Sequence, residues 1–288
     1  MGHHHHHHHA SGNIRTAFLL NLGFALIEIV GGLLTNSVAI LSDALHDFGD
    51  AIALGGAWYA EHVSKREADA RFSYGYGRIS LLAALVNALV LLTGSVFIIS
   101  QVVTRLMSPE ATHVPGIIGL ALLGIAINSL AAWRLRGEEG LNARMVSLHL
   151  LEDVLGWAAV LVVGIILLFA PWYVLDPILS LAITLYILYN VVKNLKATLS
   201  LFLQALPEGV TLPAITAKVK SVQGVIDTHH THLWSLDGDH HVLSSHVVVD
   251  PQLSRPEVSQ LKHSICDNMH DVHLSHITLE IEFAGDDA

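Results

Sequence analysis

Two pairs of residues in this chain join an imidazole to a carboxylate at the same spacing: His46 with Asp50, and His149 with Asp153. On a helix, residues four apart stand one above the other on one face. Each pair therefore offers one nitrogen and one oxygen pointing the same way, and two such faces brought together make a four-ligand cage. Zinc accepts both ligand types and has no geometric demand from its d electrons. The charges also fit, because a divalent cation, two aspartates and two neutral histidines sum to zero. An empty pocket keeps two facing carboxylates, so metal binding must displace protons and metal release must take them back. Histidine, titrating near pH ~6.5, is a natural proton carrier. The chemistry these residues point to is exchange of a divalent ion for protons. One such pair alone could equally be an intrahelical hydrogen bond. Two pairs in two separate apolar segments weigh against that, since ionisable groups in lipid are costly.

The elements that carry them are membrane helices. Of 288 residues, 52% are hydrophobic and 14% charged, and mean hydropathy is +0.52. That balance excludes a water-soluble enzyme as the default. Apolar stretches of about 20 residues are long enough to cross a bilayer, and they run over Thr16–Leu34, Val38–Tyr59, Leu81–Met107, Val114–Leu135, Met145–Phe169 and Tyr173–Val192. Residues 1–13, with seven consecutive histidines, read as an expression tag and a disordered N-terminus, 14–206 as a six-helix transmembrane domain, and 207–288 as a soluble tail. Cys266 is the only cysteine, which rules out an intrachain disulfide. With 25 acidic against 15 basic side chains, nucleic acid is not a partner. Ten basic side chains (Arg15, Lys65, Arg66, Arg71, Arg78, Arg134, Arg136, Arg144, Lys193, Lys196) fall on one side of the membrane and Arg105 alone on the other. That places both termini and the tail in the cytoplasm.

In the tail, Leu212–Val222 has helical spacing, Val225–Ser235 and Val242–Val249 read as strands around an Asp-Gly turn, Arg255–Met269 is again helical, and Ile277–Phe283 alternates like a strand. The order α-β-β-α-β predicts a small α+β sandwich, ferredoxin-like or metallochaperone-like, with two helices on one face of three strands. Among the other polar residues in spans, Asp43 either orients His46 or caps its span, Asp176 before Pro177 reads as a cap of its own helix, and Glu28 as an interhelical hydrogen-bonding group.

The chain resembles the cation diffusion facilitator family, specifically its zinc-transporting branch. Asn36–Asp50 looks like that family's second-span signature, Phe72–Arg78 its entry to the third span, His149–Asp153 its fifth-span motif and Asp176–Ser180 the start of its sixth. Thr228–Trp234 and His276–Glu282 resemble signatures of its cytoplasmic domain. The resemblance implies a homodimer in the cytoplasmic membrane that expels zinc against protons by alternating access. It also implies that His46, Asp50, His149 and Asp153 are the transport ligands, with His46 favouring zinc and cadmium second. Two departures stand out. The loop histidines that hold another zinc in some relatives correspond here to Phe72 and Tyr76, and Arg134–Asn142 contains no histidine to collect metal.

Ten of the fourteen histidines outside the tag lie in the tail. Alternation puts His246 on one polar face with His276 and Glu282. By resemblance His229 completes a cytoplasmic zinc site, whereas strand parity chooses His230 and His232, and His263 could add a ligand from the helix. A run of solvated surface histidines is the bland alternative. Other classes fit less well. An intramembrane zinc hydrolase needs an open water position and commonly His-Glu-x-x-His, which is absent from the sequence. A membrane-bound divalent-metal sensor without transport leaves the intramembrane pairs unexplained.

Overall fold

The computed structural model describes residues 8–64, 68–135 and 141–285. Six long helices come first: α1 (His8–Thr35), α2 (Val38–Ser64), α3 (Ile79–Met107), α4 (Val114–Leu135), α5 (Leu141–Phe169) and α6 (Leu175–Phe202). Two short helices and three strands follow: α7 (Leu212–Lys220), β1 (Val225–Ser235), β2 (His241–Val249), α8 (Arg255–Asp267) and β3 (Leu274–Phe283). The chain folds into two compact units, one running to His62 and resuming over Ala83–Leu195, the other comprising Val63–Leu82 and everything from Lys196. Helix α1 begins at His8, so residues 8–13 are helical rather than disordered. Lengthening a helix that already exists avoids the cost of nucleating one. The rest of the tag lies outside the described residues, as does the whole stretch between α4 and α5.

Among the described residues, five helices hold a segment long and apolar enough to cross a membrane. The exception is α2, in which Asp43, Asp47 and Asp50 fall within about two turns. It is nevertheless packed into the bundle through two buried clusters. Ile40 joins Ile117 and Ala121 of α4 and Trp157 and Val160 of α5 in one buried cluster, while Val38 joins Ile98 and Val102 of α3 in another. An acidic helix is tolerable in lipid only when its neighbours cover it. Outward faces stay apolar: Leu34, Phe97, Leu155 and Phe169 are exposed.

Glycine sets the closeness of α2 and α3. A Cβ at Gly49 would stand 2.4 Å from Leu91 Cδ2, and one at Gly94 would stand 2.4 Å from Leu45 Cδ1. Each helix therefore lodges a leucine against the other's bare backbone, the small-residue packing that lets membrane helices approach. Across the bundle, α6 holds α2 with hydroxyls and a carboxylate. Ser37 Oγ donates to Asp176 Oδ1 (2.5 Å), Val38 N–H donates to Asp176 Oδ2 (2.7 Å), and the Ser42 and Ser180 hydroxyls meet at 2.5 Å. Asp176 thus caps α2 rather than its own helix, contrary to the sequence reading. It already lies inside the first turn of α6, and the orphan N–H groups within its reach belong to α2.

In the tail, β1 pairs antiparallel with β2 and β2 parallel with β3, in the order β1-β2-β3, with α8 making the crossover that a parallel pair needs. Helix α7 starts at Thr211, whose hydroxyl accepts from Ala214 N–H (3.4 Å). Helix α8 starts at Ser254, whose N–H donates to Glu257 Oε2 (2.7 Å) in a capping box. One sheet face (Leu233, Leu243, Val247, Val249) packs on Ile215 and Val219 of α7 and Leu261 and Ile265 of α8. The other face carries the polar residues.

Candidate metal centres

The two His-x-x-x-Asp pairs meet inside the bundle. His149 Nε2 stands 3.0 Å from Asp50 Oδ2, and His46 Nε2 stands 3.7 Å from that same oxygen. The two imidazole rings lie edge to face, 5.8 Å between centroids. One ligand atom each from His46, Asp50 and His149 falls within 4.8 Å of the others. Asp153 stands just outside that trio, its Oδ2 4.0 Å from His149 Nε2. Side-chain exposure runs from 11% for Asp153 to 41% for His149, so an ion can reach the cluster.

Supporting residues surround it. Asp43 lies against α5 almost one turn beyond Asp153: a Cβ on Gly156 would stand 3.7 Å from Asp43 Oδ1, an ordinary contact distance. Asp43 lies five residues inside α2 and is buried, so it does not cap the helix. Behind it, Glu28 of α1 is fully buried, and neither of its carboxyl oxygens has a hydrogen-bond partner among the described residues, while Asn21 Nδ2 donates to the Asp47 carbonyl (3.2 Å). The interhelical hydrogen bond expected of Glu28 is therefore not formed among the described residues; the interhelical bond here comes from Asn21.

The second cluster lies on the polar face of the tail sheet. His246 Nδ1 is 2.6 Å from Glu282 Oε1, His229 Nε2 is 3.2 Å from Glu282 Oε2, and His246 Nε2 is 3.3 Å from Glu280 Oε2. His229, His246 and Glu282 bring a ligand atom each within 4.8 Å of one another. The hydrogen bond from His246, and after it the positive charge that the two rings can carry, hold the Glu282 carboxyl below the usual glutamate range.

Strand parity fails in β1 because of a bulge. His229 pairs with His246 but His232 pairs with Ser244, so β1 takes three steps where β2 takes two. Thr228 and Thr231 flank the extra residue and both bond to the buried Ser245 hydroxyl, at 2.7 and 2.8 Å. The backbone at His230 turns to φ +46°, a left-handed conformation unusual for histidine. Its ring lies 5.2 Å from that of His229 and 5.3 Å from that of His246, so the bulge adds a third imidazole beside the cluster. The odd Thr-x-x-Thr spacing is the signal of it in the sequence.

Two expected ligands lie elsewhere. His276 shares the polar face but pairs with Val242, whereas His246 pairs with Glu280, four residues further along β3. Four residues of strand span about 13 Å, so His276 is out of reach; it packs against Tyr74 instead, 5.1 Å between ring centroids. His263 is exposed on α8, which covers the opposite, apolar face of the sheet. His232 lies on the polar face beside Ser244, one step of that face removed from His246.

A helical bundle with a histidine–carboxylate cluster at its centre, followed by an α+β domain with another, defines a class: polytopic membrane proteins that handle a metal ion between their helices. The chain belongs to the cation efflux family. Residues 14–203 match the cation efflux transmembrane domain and residues 207–283 the cation efflux protein cytoplasmic domain. It is 30% identical over 272 residues to the zinc transporter ZitB of Escherichia coli, covering 93% of this chain and 86% of that one. To the metal cation efflux system protein CzcD of Cupriavidus metallidurans it is 32% identical over 277 residues, 94% and 86% of the two chains. To the cadmium, cobalt and zinc/H(+)-K(+) antiporter of Bacillus subtilis it is 29% identical over 289 residues, 98% and 92% of the two. The family resemblance read from the motifs is borne out over nearly the whole chain.

Proposed function

We propose that this protein exports zinc, with cadmium as a second substrate, from the cytoplasm in exchange for protons, by alternating access at His46, Asp50, His149 and Asp153. The observation that carries this is the meeting of His149 and His46 on one oxygen of Asp50, inside a bundle otherwise faced with apolar side chains. Two imidazole nitrogens and two carboxylates suit a borderline metal such as zinc better than a hard one, and their charges cancel those of a divalent ion. When the ion leaves, the carboxylates are balanced by protons, which ties metal movement one way to proton movement the other. Relatives named for zinc, cadmium and cobalt transport, one of them for antiport, support the same reading.

The protein works as a homodimer in the cytoplasmic membrane with both termini inside. The ten-to-one division of basic side chains supports that orientation. In the tail, His229, His246 and Glu282 hold a resident zinc with His230 beside them, and filling that site stiffens the tail. A sensor without transport would need only that site, and it gives no reason for ligands inside the bundle.

The test is zinc uptake into proteoliposomes with and without an imposed pH gradient. Acceleration by the gradient, abolished by Asp153→Ala in a folded protein, is the expected result. Flux indifferent to the gradient overturns proton exchange, and normal transport by Asp153→Ala overturns the ligand assignment.

A further inference from the structure

The segment joining α2 to α3 forms one wall of a cleft that metal transport does not use. It is clasped on itself: the Asp69 carboxylate accepts from the N–H groups of Arg71 (2.8 Å) and Phe72 (2.7 Å) and from the Tyr76 hydroxyl (2.6 Å). The Phe72 and Tyr76 rings lie 4.9 Å apart, and the Arg71 guanidinium is 5.6 Å from the Phe72 ring centroid. The segment passes the β1–β2 turn so closely that a Cβ on Gly77 would stand 3.0 Å from Asp237 Oδ2. Between them opens a cleft of about 720 Å³, lined among others by Arg71, Tyr74, Arg78, Trp234, Asp237 and His276.

The charges in this cleft are unbalanced in a way that points to a ligand. Among the described residues that line it, Asp237 has the only carboxylate. That carboxylate already accepts from Asp239 N–H (3.0 Å), His240 N–H (2.8 Å) and the His240 ring (2.7 Å). Arg78 Nε is buried with no hydrogen-bond partner among the described residues. By contrast Lys218 and Lys220 each have a carboxylate, Asp271 at 2.5 Å and Asp227 at 2.6 Å. A buried guanidinium N–H left unpaired is costly and calls for an anionic acceptor.

Position narrows the anion. Arg78 immediately precedes α3, whose membrane-spanning stretch begins at Ile79, so it stands where lipid headgroups begin. Tyrosine and tryptophan favour that same depth. We propose that the cleft binds the phosphate headgroup of an anionic phospholipid, with Arg78 and Arg71 on the phosphate and Tyr74 and Trp234 as its walls. The inference rests on the inward orientation proposed above, which turns the cleft toward the anionic leaflet. A lipid held there bridges the segment entering α3 and the β1–β2 turn.

The test is native mass spectrometry of the full-length, zinc-free protein, released from mixed phosphatidylglycerol and phosphatidylcholine micelles. One phosphatidylglycerol retained per chain in preference to phosphatidylcholine, weakened by high salt and about tenfold weaker in Arg78→Gln, is the expected result. Equal retention of the two lipids overturns the proposal, and so does preference unchanged in a folded Arg78→Gln protein. If that variant does not fold, the wild-type lipid preference and its salt dependence decide. Displacement of the lipid by an equal concentration of soluble glycerol phosphate would show a site for free phosphate and overturn the lipid assignment. None of these readouts involves zinc flux, so failure here leaves the transport reading intact.

Discussion

Asp50 Oδ2 is shared: His149 Nε2 approaches it to 3.0 Å from α5 and His46 Nε2 to 3.7 Å from its own helix. Asp153 reaches the cluster at His149, its Oδ2 4.0 Å from the Nε2 of that ring. One carboxylate therefore stands at the centre of the site and the other at its edge.

That asymmetry ranks the variants. Asp50→Asn removes the central charge and should weaken zinc binding by more than the ~10–100-fold typical of losing an outer partner. Asp153→Asn should weaken it less while still abolishing vectorial flux. Zinc titration of the two purified variants, alongside flux, checks the order. Equal affinities for both would mean that the four ligands close evenly around the ion.

In the tail, the geometry separates the residues close enough to share one ion from their face-mates. On an Asp50→Asn background, which silences the bundle site, His229→Ala and His246→Ala should remove the remaining zinc measured by calorimetry. His276→Ala should leave it, because that ring sits against Tyr74. Loss of zinc in His276→Ala would place a second copy of the chain, or a rearranged β3, at the site.

These two centres are legible in the sequence to different degrees. The bundle site is readable because helix spacing is local: four residues put His46 over Asp50 wherever the helix lies, and the cost of charge in lipid marks both pairs. The spans are readable too, although α2 passes as a membrane helix only through the neighbours that cover Asp43 and Asp47. The tail site is half readable. Alternation assigns faces in β2 and β3, but a face says nothing of level along the strand, which is why it points wrongly to His276. In β1 one extra residue shifts the parity. Asp176 misleads because a cap looks the same in sequence whichever helix it serves, and its partner lies 138 positions away in Val38.

His230 offers a test that splits strain from binding. A non-glycine residue in the left-handed region costs about 1–2 kcal/mol, and His230 has φ +46°. His230→Gly should therefore raise the melting temperature of the zinc-free protein while lowering zinc affinity, since the ring beside His229 and His246 is lost. His230→Ala keeps the strain and loses the ring, so it should gain no stability. If His230→Gly binds zinc as well as the wild type, the third imidazole is a bystander.

The tail should also lose stability in acid in a defined window. The Glu282 carboxyl is held low mainly by its hydrogen bond from His246, so the folded state favours the ionised form more than the unfolded chain does. A depressed carboxyl contributes stability that is fully present above its unfolded value, near ~4.3, and is lost as pH falls through the folded value below it. Zinc-free melting curves should show this loss, and Glu282→Gln should flatten it. An unchanged acid limb in Glu282→Gln would mean that other carboxylates, such as Asp227 or Asp271 with their lysines, set it.

Asp176 is the residue through which α6 fixes the start of α2, eight residues before His46. Its two oxygens are buried and satisfy the Ser37 hydroxyl and the Val38 N–H. Asp176→Ala leaves both donors without a partner in the bundle, at about 1–3 kcal/mol for each unsatisfied group. Asp176→Asn keeps one acceptor oxygen and should forfeit roughly half as much. The proposed metal ligands themselves are untouched, and α2 is also held by its glycine–leucine contacts with α3. Thermal stability should therefore fall in the order wild type, Asp176→Asn, Asp176→Ala, while zinc affinity at equilibrium changes little. A large loss of zinc affinity in the stable Asp176→Asn protein would instead mean that this cap sets the position of His46 and Asp50 relative to His149.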